Sequence, residues 1–442
     1  MYKVGMISLG CPKNQVDAEI MLKKLSDEGF KITPREDDAD VIIVNTCGFL
    51  ESAAREAIEA ILEAASYKKY GKLKSLIVTG CLAERYKNDI TEEIPEVDVV
   101  VGLGENSNIA NIVHNAIKGQ HENRFNDKCL LPLEGERILT TPKYSAYLKI
   151  AEGCSNACSY CAIPSIRGKF RSRTPKSIIE EAKLLAADGV KELTVIAQDT
   201  TAYGMDLLEK PTLACLLKEL CKIDGIEFIR TLYTYPDKIT DELIETVKTE
   251  PKICKYFDIP IQHINDRILK SMRRHTTKQQ ILDVIAKIRR EIPGVTLRTS
   301  LIAGYPTETE DEFCELCEFV KAVKFDRLGC FAYSKEEGTF AATLDGQIDE
   351  QTKIDRAENI MTEQARIMEE LNRKKIGTKI AVLVEGYDGY IKAYYGRSES
   401  DAPEIDGKVF FTSKNKLNAG DIAEVIINDT LEYDLLGTNT KN

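Results

Sequence analysis

Three cysteines, Cys154, Cys158 and Cys161, follow one another with the spacing Cys-x3-Cys-x2-Cys. Three thiolates at this spacing can bind one face of an iron–sulfur cube and leave its fourth iron without a protein ligand. A cluster that only transfers electrons is usually closed by four cysteines, whereas an open iron can coordinate a small molecule. The alternative is a group of buried or zinc-binding thiols, but zinc sites usually take four ligands in two separated pairs. No clean fourth ligand lies nearby, so the spacing predicts an iron–sulfur site.

The spacing resembles that of the radical S-adenosylmethionine (SAM) enzymes. Tyr160, an aromatic residue directly before the third cysteine, is also typical of them. The resemblance implies that the amino and carboxylate groups of SAM chelate the open iron. It further implies that one electron from the cluster cleaves the sulfonium and releases a 5′-deoxyadenosyl radical.

The composition is that of a globular protein with several domains. The chain has 442 residues, of which 43% are hydrophobic and 30% charged, and this length suggests roughly two to four domains. The N-terminus does not resemble a secretion signal, and no apolar run approaches the roughly twenty residues of a membrane helix. Its 13 cysteines, an odd number, favour metal or redox chemistry over a disulfide framework. We therefore expect a cytoplasmic protein that makes no membrane contact.

Residues 1–118 are predicted to form a parallel α/β domain, because apolar strands alternate with helical patterns. The strands are predicted at Val4–Leu9, Val41–Asn45, Leu76–Thr79 and Val99–Val101. Each of the first three ends in a small loop with one cysteine: Cys11, Cys47 and Cys81. Ligands of open parallel sheets bind outside the carboxyl ends of the strands. We therefore predict a second three-cysteine cluster here, the alternative being three unrelated core cysteines.

Residues 142–371, after a linker at 119–141, are predicted to form a partial (β/α) barrel. Its strands are predicted at Ala146–Ala151, Leu193–Ala197, Ile226–Tyr233, Tyr256–Ile261, Thr296–Ile302 and Arg327–Phe331. Chemistry in such barrels lies at the carboxyl ends of the strands. A helix from Gln351 to Arg373 leads to residues 372–442, whose short alternating segments predict a small β-barrel. These segments are Lys379–Val384, Lys392–Tyr395, Lys408–Thr412 and Ile422–Ile427. The predicted fold class is therefore α/β with a terminal β-barrel.

Polar groups at barrel strand ends are candidates for contact with SAM. The candidates are Tyr160, Gln198, Asp199, Thr234, Arg298 and Gly304. Gly304 lies in a segment that resembles the one approaching the adenine ring in radical enzymes, where a glycine lets the backbone come close. A polar residue at a strand end is often only a helix cap, and Thr307 with Glu310 is a possible capping box.

Other residues have two interpretations. His263 either faces the site or is a hydrogen-bonded core histidine. The basic run Arg167, Lys169, Arg171 and Arg173 either grips a carboxylate or is a solvated turn. The pair Cys314 and Cys317 lies on a helical pattern without a second pair and is interpreted as structural, and four further cysteines are interpreted as core residues: Cys215, Cys221, Cys254 and Cys330.

The order of the three domains resembles the methylthiotransferase family of radical SAM enzymes along nearly the whole chain. The resemblance implies two 4Fe–4S clusters: an auxiliary cluster on Cys11, Cys47 and Cys81, and the radical cluster on the later three cysteines. It implies that SAM is both methyl donor and radical source, that a C–H bond becomes C–SCH3, and that the terminal barrel is a TRAM-like domain that helps hold the substrate. An electron donor such as flavodoxin or ferredoxin is also implied.

The family modifies either an adenosine beside the tRNA anticodon or the β carbon of an aspartate in small-subunit ribosomal protein S-twelve. The opening Ser8–Asn14, of sequence SLGCPKN, is similar to that of the ribosomal-protein branch, as are Ile163–Gly168, Gln198–Thr200 and Tyr395–Gly407. The tRNA enzymes usually open with a Thr-Tyr-Gly-Cys-Gln type of sequence. The resemblance therefore favours a ribosomal protein as substrate. A tRNA enzyme and a non-catalytic iron–sulfur electron-transfer protein are the alternatives.

Charge favours the same substrate. The net charge is −11, and between positions 385 and 406 the acidic residues outnumber the basic ones. The acidic residues are Glu385, Asp388, Glu399, Asp401, Glu404 and Asp406, against Lys392 and Arg397. We expect an acidic binding face there, which repels phosphate and suits a basic ribosomal protein. Nucleic acid is therefore not the expected primary partner.

Overall fold

A computed structural model describes residues 1–210 and 212–440. The N-terminal part is a five-stranded parallel sheet of order β2-β1-β3-β4-β5. Its strands are β1 (Lys3–Ser8), β2 (Lys31–Ile32), β3 (Val41–Thr46), β4 (Ser75–Gly80) and β5 (Val99–Val100). Its helices are α1 (Pro12–Asp27), α2 (Glu51–Tyr70), α3 (Cys81–Tyr86), α4 (Asp89–Glu93) and α5 (Ile109–Ile117). Strands β3 and β4 are buried along their whole length, as expected where helices cover both faces of a parallel sheet. The four predicted strands are confirmed. Strand β2 was not predicted, because its two residues are too few to show a pattern in the sequence.

The central part is an open barrel of six parallel strands. Its strands, with a short antiparallel pair β7–β8, are β6 (Ser145–Lys149), β7 (Ala151–Glu152), β8 (Arg171–Ser172), β9 (Glu192–Ile196), β10 (Phe228–Thr231), β11 (Tyr256–Asp258), β12 (Thr296–Ala303) and β13 (Arg327–Ala332). The order is β6-β9-β10 and β11-β12-β13, and a bridge from Ile229 to Ile253 joins the two sets. The predicted partial barrel is therefore confirmed.

Eight helices follow or flank these strands. They are α6 (Ile163–Arg167), α7 (Pro175–Ala187), α8 (Leu213–Cys221), α9 (Asp241–Thr249), α10 (Asp266–Ser271), α11 (Lys278–Glu291), α12 (Glu310–Val323) and α13 (Glu350–Arg373). The capping box suggested for Thr307 and Glu310 is wrong: the box is made by Thr309 and Glu312, each accepting from the other's backbone N–H. Thr307 has a φ of +70° and lies outside the helix. Within the described ranges, no helix is long and apolar enough to cross a bilayer.

The C-terminal part is a closed five-stranded β-barrel of order β14-β15-β16-β18-β17. Its strands are β14 (Lys379–Asp388), β15 (Ala393–Ser398), β16 (Val409–Thr412), β17 (Ile422–Leu431) and β18 (Asp434–Asn439). Alternate residues such as Val382, Val384 and Val425 are buried in its core. The predicted β-barrel is confirmed, although the sequence pattern did not indicate β18.

The loop between β15 and β16 docks onto the amino-terminal end of the open barrel. The buried Asp401 pairs with Arg327, at the start of β13, at 2.6 Å. The hydroxyl of Tyr256, at the start of β11, donates to Asp406 at 2.6 Å. Ala402 is completely buried among side chains of the open barrel. The loop therefore closes the end of the barrel opposite to the strand ends that carry the cysteine loop.

This docking corrects part of the expected acidic binding face, of which Glu399 and Glu404 remain exposed. Asp401 and Asp406 are used inside the protein, and Glu385 accepts from Arg397 at 2.7 Å. Arg397 in turn donates to the buried Glu192 at 3.0 Å. Charges that seemed available to a basic partner therefore hold the two barrels together. A count of charges along the chain does not show which of them are already paired.

We predict that Asp401→Ala lowers the free energy of unfolding by about 3–5 kcal/mol, because it removes the closest counter-charge of the buried Arg327 guanidinium and leaves only Asp406, at 3.9 Å. Thermal unfolding followed by far-ultraviolet circular dichroism measures the effect. Glu370→Ala is the control: it breaks an exposed ion pair with Lys324 and should cost less than about 1 kcal/mol. Equal losses in the two variants would contradict the docking role of Asp401.

Candidate iron–sulfur and cofactor site

The loops that carry Cys11, Cys47 and Cys81 pack against one another at the carboxyl edge of the N-terminal sheet. Cys11 caps α1, and Cys81 is the first residue of α3. A Cβ atom added to Gly10 would lie 2.5 Å from the Cβ of Cys47, and one added to Gly48 would lie 2.7 Å from the Cα of Leu82. The glycines therefore permit a contact between neighbouring loops that any side chain would block. The structure brings the three cysteine loops together, as the strand-end pattern predicts.

Asn14 ties two of these strand ends. Its side-chain amide donates to the carbonyl of Leu9 at 2.7 Å and to that of Asn45 at 3.2 Å. The amide of Asn45 donates back to the carbonyl of Asn14 at 2.8 Å. Both asparagines are almost completely buried, where backbone carbonyls need a partner. The relative position of the Cys11 and Cys47 loops is therefore fixed by hydrogen bonds.

The thiols of this set differ in their environment. Burial raises the pKa of Cys81 to about 12 and also raises the pKa of Cys47. Burial acts on Cys11 in the same direction, but the positive charges of Lys13 and Arg167, together with hydrogen bonds from the backbone of Lys13 and Asn14, outweigh it and lower the pKa of this thiol. Iron binds thiolates, so metal binding at this site would displace protons.

The second set follows β7 in a loop that lies against the loop before β8. The backbone N–H of Cys154 donates to the carbonyl of Gly168 at 3.1 Å. Gly153 has a φ of +76°, and a Cβ atom there would lie 2.6 Å from the same carbonyl oxygen. Cys154 and Cys158 are buried, and burial raises the pKa of Cys161 to about 12. The loop thus holds Cys154 and Cys158 away from water, whereas Cys161 is partly exposed.

A tyrosine and an arginine lie beside Cys158. The hydroxyl of Tyr235 is 3.7 Å from its sulfur, and the guanidinium of Arg274 donates to that sulfur at 3.8 Å. Arg274 also stacks on the Tyr235 ring at 4.3 Å from its centroid. Sequence reasoning missed both residues. The only signal was a basic pair after a short helix, and no spacing related it to the cysteines.

The two sets of cysteine ligands suit iron–sulfur clusters better than a single metal ion. The described residues contain no group of three or more His, Cys, Asp or Glu side chains arranged to hold a single metal ion. A cube takes one cysteine on each of three irons, so its ligands stand further apart than those of one ion. Three thiols in one loop, two of them buried and one partly buried, and three more in loops that touch, fit such groups.

Gln198 and Asp199 both lie at the end of β9, as predicted. The amide of Gln198 donates to Glu152 at 2.6 Å, and its buried oxygen Oε1 has no hydrogen-bond partner among the described residues. Asp199 accepts from Asn156 in the cysteine loop at 2.8 Å and also pairs with Lys238. The two side chains therefore adjoin the cysteine loop, and Gln198 keeps an acceptor that a ligand can use.

Tyr160 and Thr234 also lie near this loop. Tyr160 packs on a buried group that includes Met272 and Tyr305. The Thr234 hydroxyl donates to the carbonyl of Asp258 at 2.5 Å. Thr234 therefore links the ends of β10 and β11.

Two candidates are placed differently from the expectation. Arg298 is the third residue of β12, near its start, so its predicted position at a strand end is wrong. Its guanidinium donates to Asp258 at 2.7 Å and lies 3.8 Å from Asp406. Gly304 does follow β12, but a Cβ atom there would lie 2.9 Å from the Cβ of Lys353. Close contact with α13 and a φ of +74° are thus the structural reasons for this glycine.

His263 is buried as a hydrogen-bonded histidine. Its Nδ1 accepts from the backbone N–H of Asn265 at 3.0 Å, and its Nε2 lies 3.3 Å from Glu308. Cys314 is exposed and Cys317 partly buried, in accord with a structural pair. The expectation that Cys215 is a core residue is wrong, because it is exposed on α8.

The basic run after the cysteine loop is not a solvated turn, and two of its arginines pair with carboxylates of the protein itself. Arg173 is buried and pairs with Glu181, and Arg171 donates to the carbonyls of Lys128 and Cys129. Lys169 alone is exposed. The run therefore holds the cysteine loop to its neighbours.

Arg167 has the largest role of the four, because it lies between the two cysteine sets. It is 1% exposed and pairs with Glu152 at 2.8 Å and with Asp17, from α1, at 3.0 Å. Lys149 pairs with the same two carboxylates. We call these four residues the interface quartet. Its two cations and two anions balance, so a group of buried charges joins the N-terminal sheet to the open barrel.

Comparison with known proteins covers all three parts. Residues 3–102 match Uncharacterized protein family UPF0004, residues 148–320 match the Radical SAM superfamily, and residues 376–439 match the TRAM domain. Relatives named ribosomal protein uS12 methylthiotransferase RimO match nearly the whole chain. The one from Caldicellulosiruptor saccharolyticus is 51% identical over 440 residues, 99% of each chain. The chain belongs to the RimO family.

Further RimO relatives support the same assignment. The protein from Clostridium botulinum is 50% identical and covers 98% of this chain and 97% of its own. That from Geobacter sulfurreducens is 49% identical and covers 98% of both. This RimO-family chain is therefore a radical SAM enzyme of the methylthiotransferase type.

Solved structures share its fold. TsrM from Kitasatospora setae, solved with cobalamin and a [4Fe-4S] cluster, is 13% identical with a TM-score of 0.54 and covers 75% of this chain and 76% of its own. OxsB, solved with aqua-cobalamin and SAM, is 13% identical with a TM-score of 0.51 and covers 81% of this chain and 56% of its own. At this identity the likeness concerns the fold alone.

We predict that Arg167→Gln destabilises this RimO-family chain by about 3–5 kcal/mol, because two buried carboxylates are left with one cation. Thermal unfolding of the apoprotein measures the loss. Lys169→Gln is the matched control: it removes the same charge from an exposed position of the same loop and should cost less than about 0.5 kcal/mol. A loss no larger than that of the control would show that the interface quartet does not hold the interface together.

Proposed function

We propose that the protein converts a C–H bond to C–SCH3 on the β carbon of an aspartate in ribosomal protein uS12, the S-twelve protein of the small subunit. The observation that carries this proposal is sequence identity of 49% to 51%, along almost the whole chain, to proteins named for that activity. Two cysteine sets on neighbouring faces support it. One set serves to generate a radical and the other to hold sulfur within reach, and proximity is what an enzyme contributes to such a transfer.

In this proposal, Cys154, Cys158 and Cys161 hold one 4Fe–4S cluster, and a second is held by Cys11, Cys47 and Cys81. When bound, the clusters supply the electron that cleaves SAM and the site at which sulfur is held. The proposed contacts to SAM are Tyr160, Gln198, Asp199, Thr234, Arg298 and Gly304. The unpaired acceptor of Gln198 and the contact of Asp199 with the cysteine loop support the second and third of these. The positions of Arg298 and Gly304 give those two less support.

The chain's own residues position and shield these groups. Tyr235 and Arg274 cover the sulfur of Cys158 and would exclude water from a reactive intermediate. The positive charge of Arg274 offsets that of a thiolate. The interface quartet fixes the distance between the two cysteine sets, so the substrate carbon meets both reaction partners without a domain movement.

The organisation of the chain and its partners follow from the same proposal. We propose an auxiliary-cluster domain at 1–118, a linker at 119–141, the radical barrel at 142–371 and a TRAM-like substrate-binding barrel at 372–442. The reaction consumes electrons, so a donor such as flavodoxin or ferredoxin is required. A ribosomal-protein substrate supports the expectation of a cytoplasmic enzyme.

The test is an anaerobic reaction of the reconstituted enzyme with SAM, a reductant and sulfide. Ribosomal protein uS12 and tRNA are offered side by side, and mass spectrometry locates any methylthio group. We expect it on one aspartate of uS12. A group on the tRNA instead would contradict the substrate, and the absence of SAM cleavage would contradict the radical chemistry.

We further predict that substitutions in the two cysteine sets have different effects on the reaction. Cys154→Ala should abolish both 5′-deoxyadenosine and the methylthio product. Cys81→Ala should retain 5′-deoxyadenosine and lose the methylthio product. Each substitution should remove about half of the bound iron, since each set holds one of two equal clusters. Cys314→Ala is the control and should retain iron and product; identical behaviour of the first two variants would contradict separate roles.

A further inference from the structure

Lys13 is a buried cation without a carboxylate partner. It lies two residues after Cys11 and is 8% exposed. Lysine is almost never this buried unless its charge is paired, and Lys149 and Arg167 of the interface quartet follow that rule. Among the described residues Lys13 forms no ion pair with Asp or Glu. The ionisable groups that act on it most are Tyr233, Cys11 and Arg167. Among the described residues its charge therefore has no carboxylate partner, and the acidic groups that act on it are the phenol of Tyr233 and the thiol of Cys11.

The ammonium of Lys13 lies between the two cysteine sets. Its nitrogen is 3.7 Å from the centroid of the Tyr233 ring, which belongs to the segment after β10. Two residues further along that segment, Tyr235 contacts the sulfur of Cys158. Lys13 thus reaches from the first set of cysteines to the carboxyl ends of the barrel strands. This is the position where the proposed function requires the substrate carbon.

The ring that receives Lys13 is held firmly. Tyr233 has a φ of +61°, a conformation that a bulky residue keeps only when its surroundings impose it. Its N–H donates to the carboxylate of Asp258 at 2.9 Å, and its carbonyl accepts from the N–H of Thr200 at 3.0 Å. A cation over such a ring gains only part of the energy that burial costs. The ammonium therefore lies over a fixed ring, and none of the described carboxylates pairs with it.

We propose that Lys13 binds the carboxylate of the substrate aspartate and so selects an acidic side chain for the reaction. This inference rests on the proposed function. A carboxylate accepting a hydrogen bond from the ammonium would supply the missing counter-charge. The β carbon of aspartate is bonded directly to its carboxylate carbon, so fixing the carboxylate also fixes the carbon that reacts. Lys13 is then a residue that determines substrate specificity.

A role as counter-charge to the thiolates of its own loop is the other explanation. Arg274 illustrates that role, since it contacts the sulfur of Cys158 directly. Lys13 acts on the thiol of Cys11 but also contacts a ring of the facing barrel. The two roles differ in one measurable respect: a counter-charge affects every substrate equally, whereas a carboxylate-binding residue affects only substrates with the carboxylate.

The experiment compares uS12 with a uS12 variant in which the target aspartate, located by mass spectrometry, is replaced by asparagine. Their dissociation constants are measured with the reconstituted holoenzyme and SAM, without reductant. We expect the wild-type enzyme to bind the aspartate form about 10- to 100-fold more tightly, as for a hydrogen bond to a charged group. Lys13→Met should abolish this preference by weakening the aspartate form alone. Lys13→Arg should retain most of the preference, because it keeps the charge.

Lys74→Met is the matched control, since Lys74 is exposed before β4, at the opposite edge of the sheet; it should leave the preference intact. Equal weakening of both substrates by Lys13→Met would overturn the inference and support a counter-charge. Equal binding of both substrates by the wild-type enzyme would also overturn it, even if the variant failed to fold. Wild-type enzyme that modifies uS12 but shows no preference refutes only this inference, whereas failure to modify uS12 refutes the proposed function as well.

Discussion

The buried interface quartet is the interaction on which the rest of the site depends. Asp17 comes from α1 of the N-terminal part, and Lys149, Glu152 and Arg167 come from the open barrel. Taking four charges out of water is costly, and only close pairing compensates for that cost. Because each carboxylate meets both cations, the two parts can dock only in one register. The distance between the two cysteine sets follows from this register.

The open barrel is also closed from two sides by other parts of the chain. Val16 and Ile20 of α1 pack into the same buried group as Tyr147 and Ala402. Ala402 belongs to the loop of the small barrel, which the pairs of Asp401 and Asp406 hold in place. An open six-stranded barrel would otherwise expose its apolar interior to water. The first and the last parts of the chain thus complete a buried group that also contains side chains of the open barrel.

The site itself is built where strands end and loops turn sharply. Tyr233, Gln262 and Thr307 follow three successive strands, and all have φ between +61° and +74°. Such conformations are costly for residues other than glycine and persist where the surroundings enforce them. The tight turns place side chains such as Tyr233 and Tyr235 beside the space between the cysteine sets. The strained backbone of these residues therefore occurs where side chains are positioned for the proposed reaction.

The sequence by itself determined the cysteine sets, the order of the three parts and most strands. These features are local: a spacing of a few residues, or an alternation of apolar runs, is visible without knowledge of distant contacts. Strand β18 was not predicted because its local signal was weak. The capping box was assigned to the wrong residues because Thr307 and Glu310 repeat the same pattern beside Thr309 and Glu312.

Only the tertiary structure decided which charges are free and which are paired. Arg397 and Glu192 are 205 residues apart in the sequence, and Arg167 and Asp17 are 150 apart. The acidic segment therefore suggested a binding face where there is an internal contact. The sequence is equally unable to show that Lys13 is buried without a carboxylate among the described residues to pair with. Spacing reports which groups a loop carries, whereas the docking of domains decides which opposite charge each group meets.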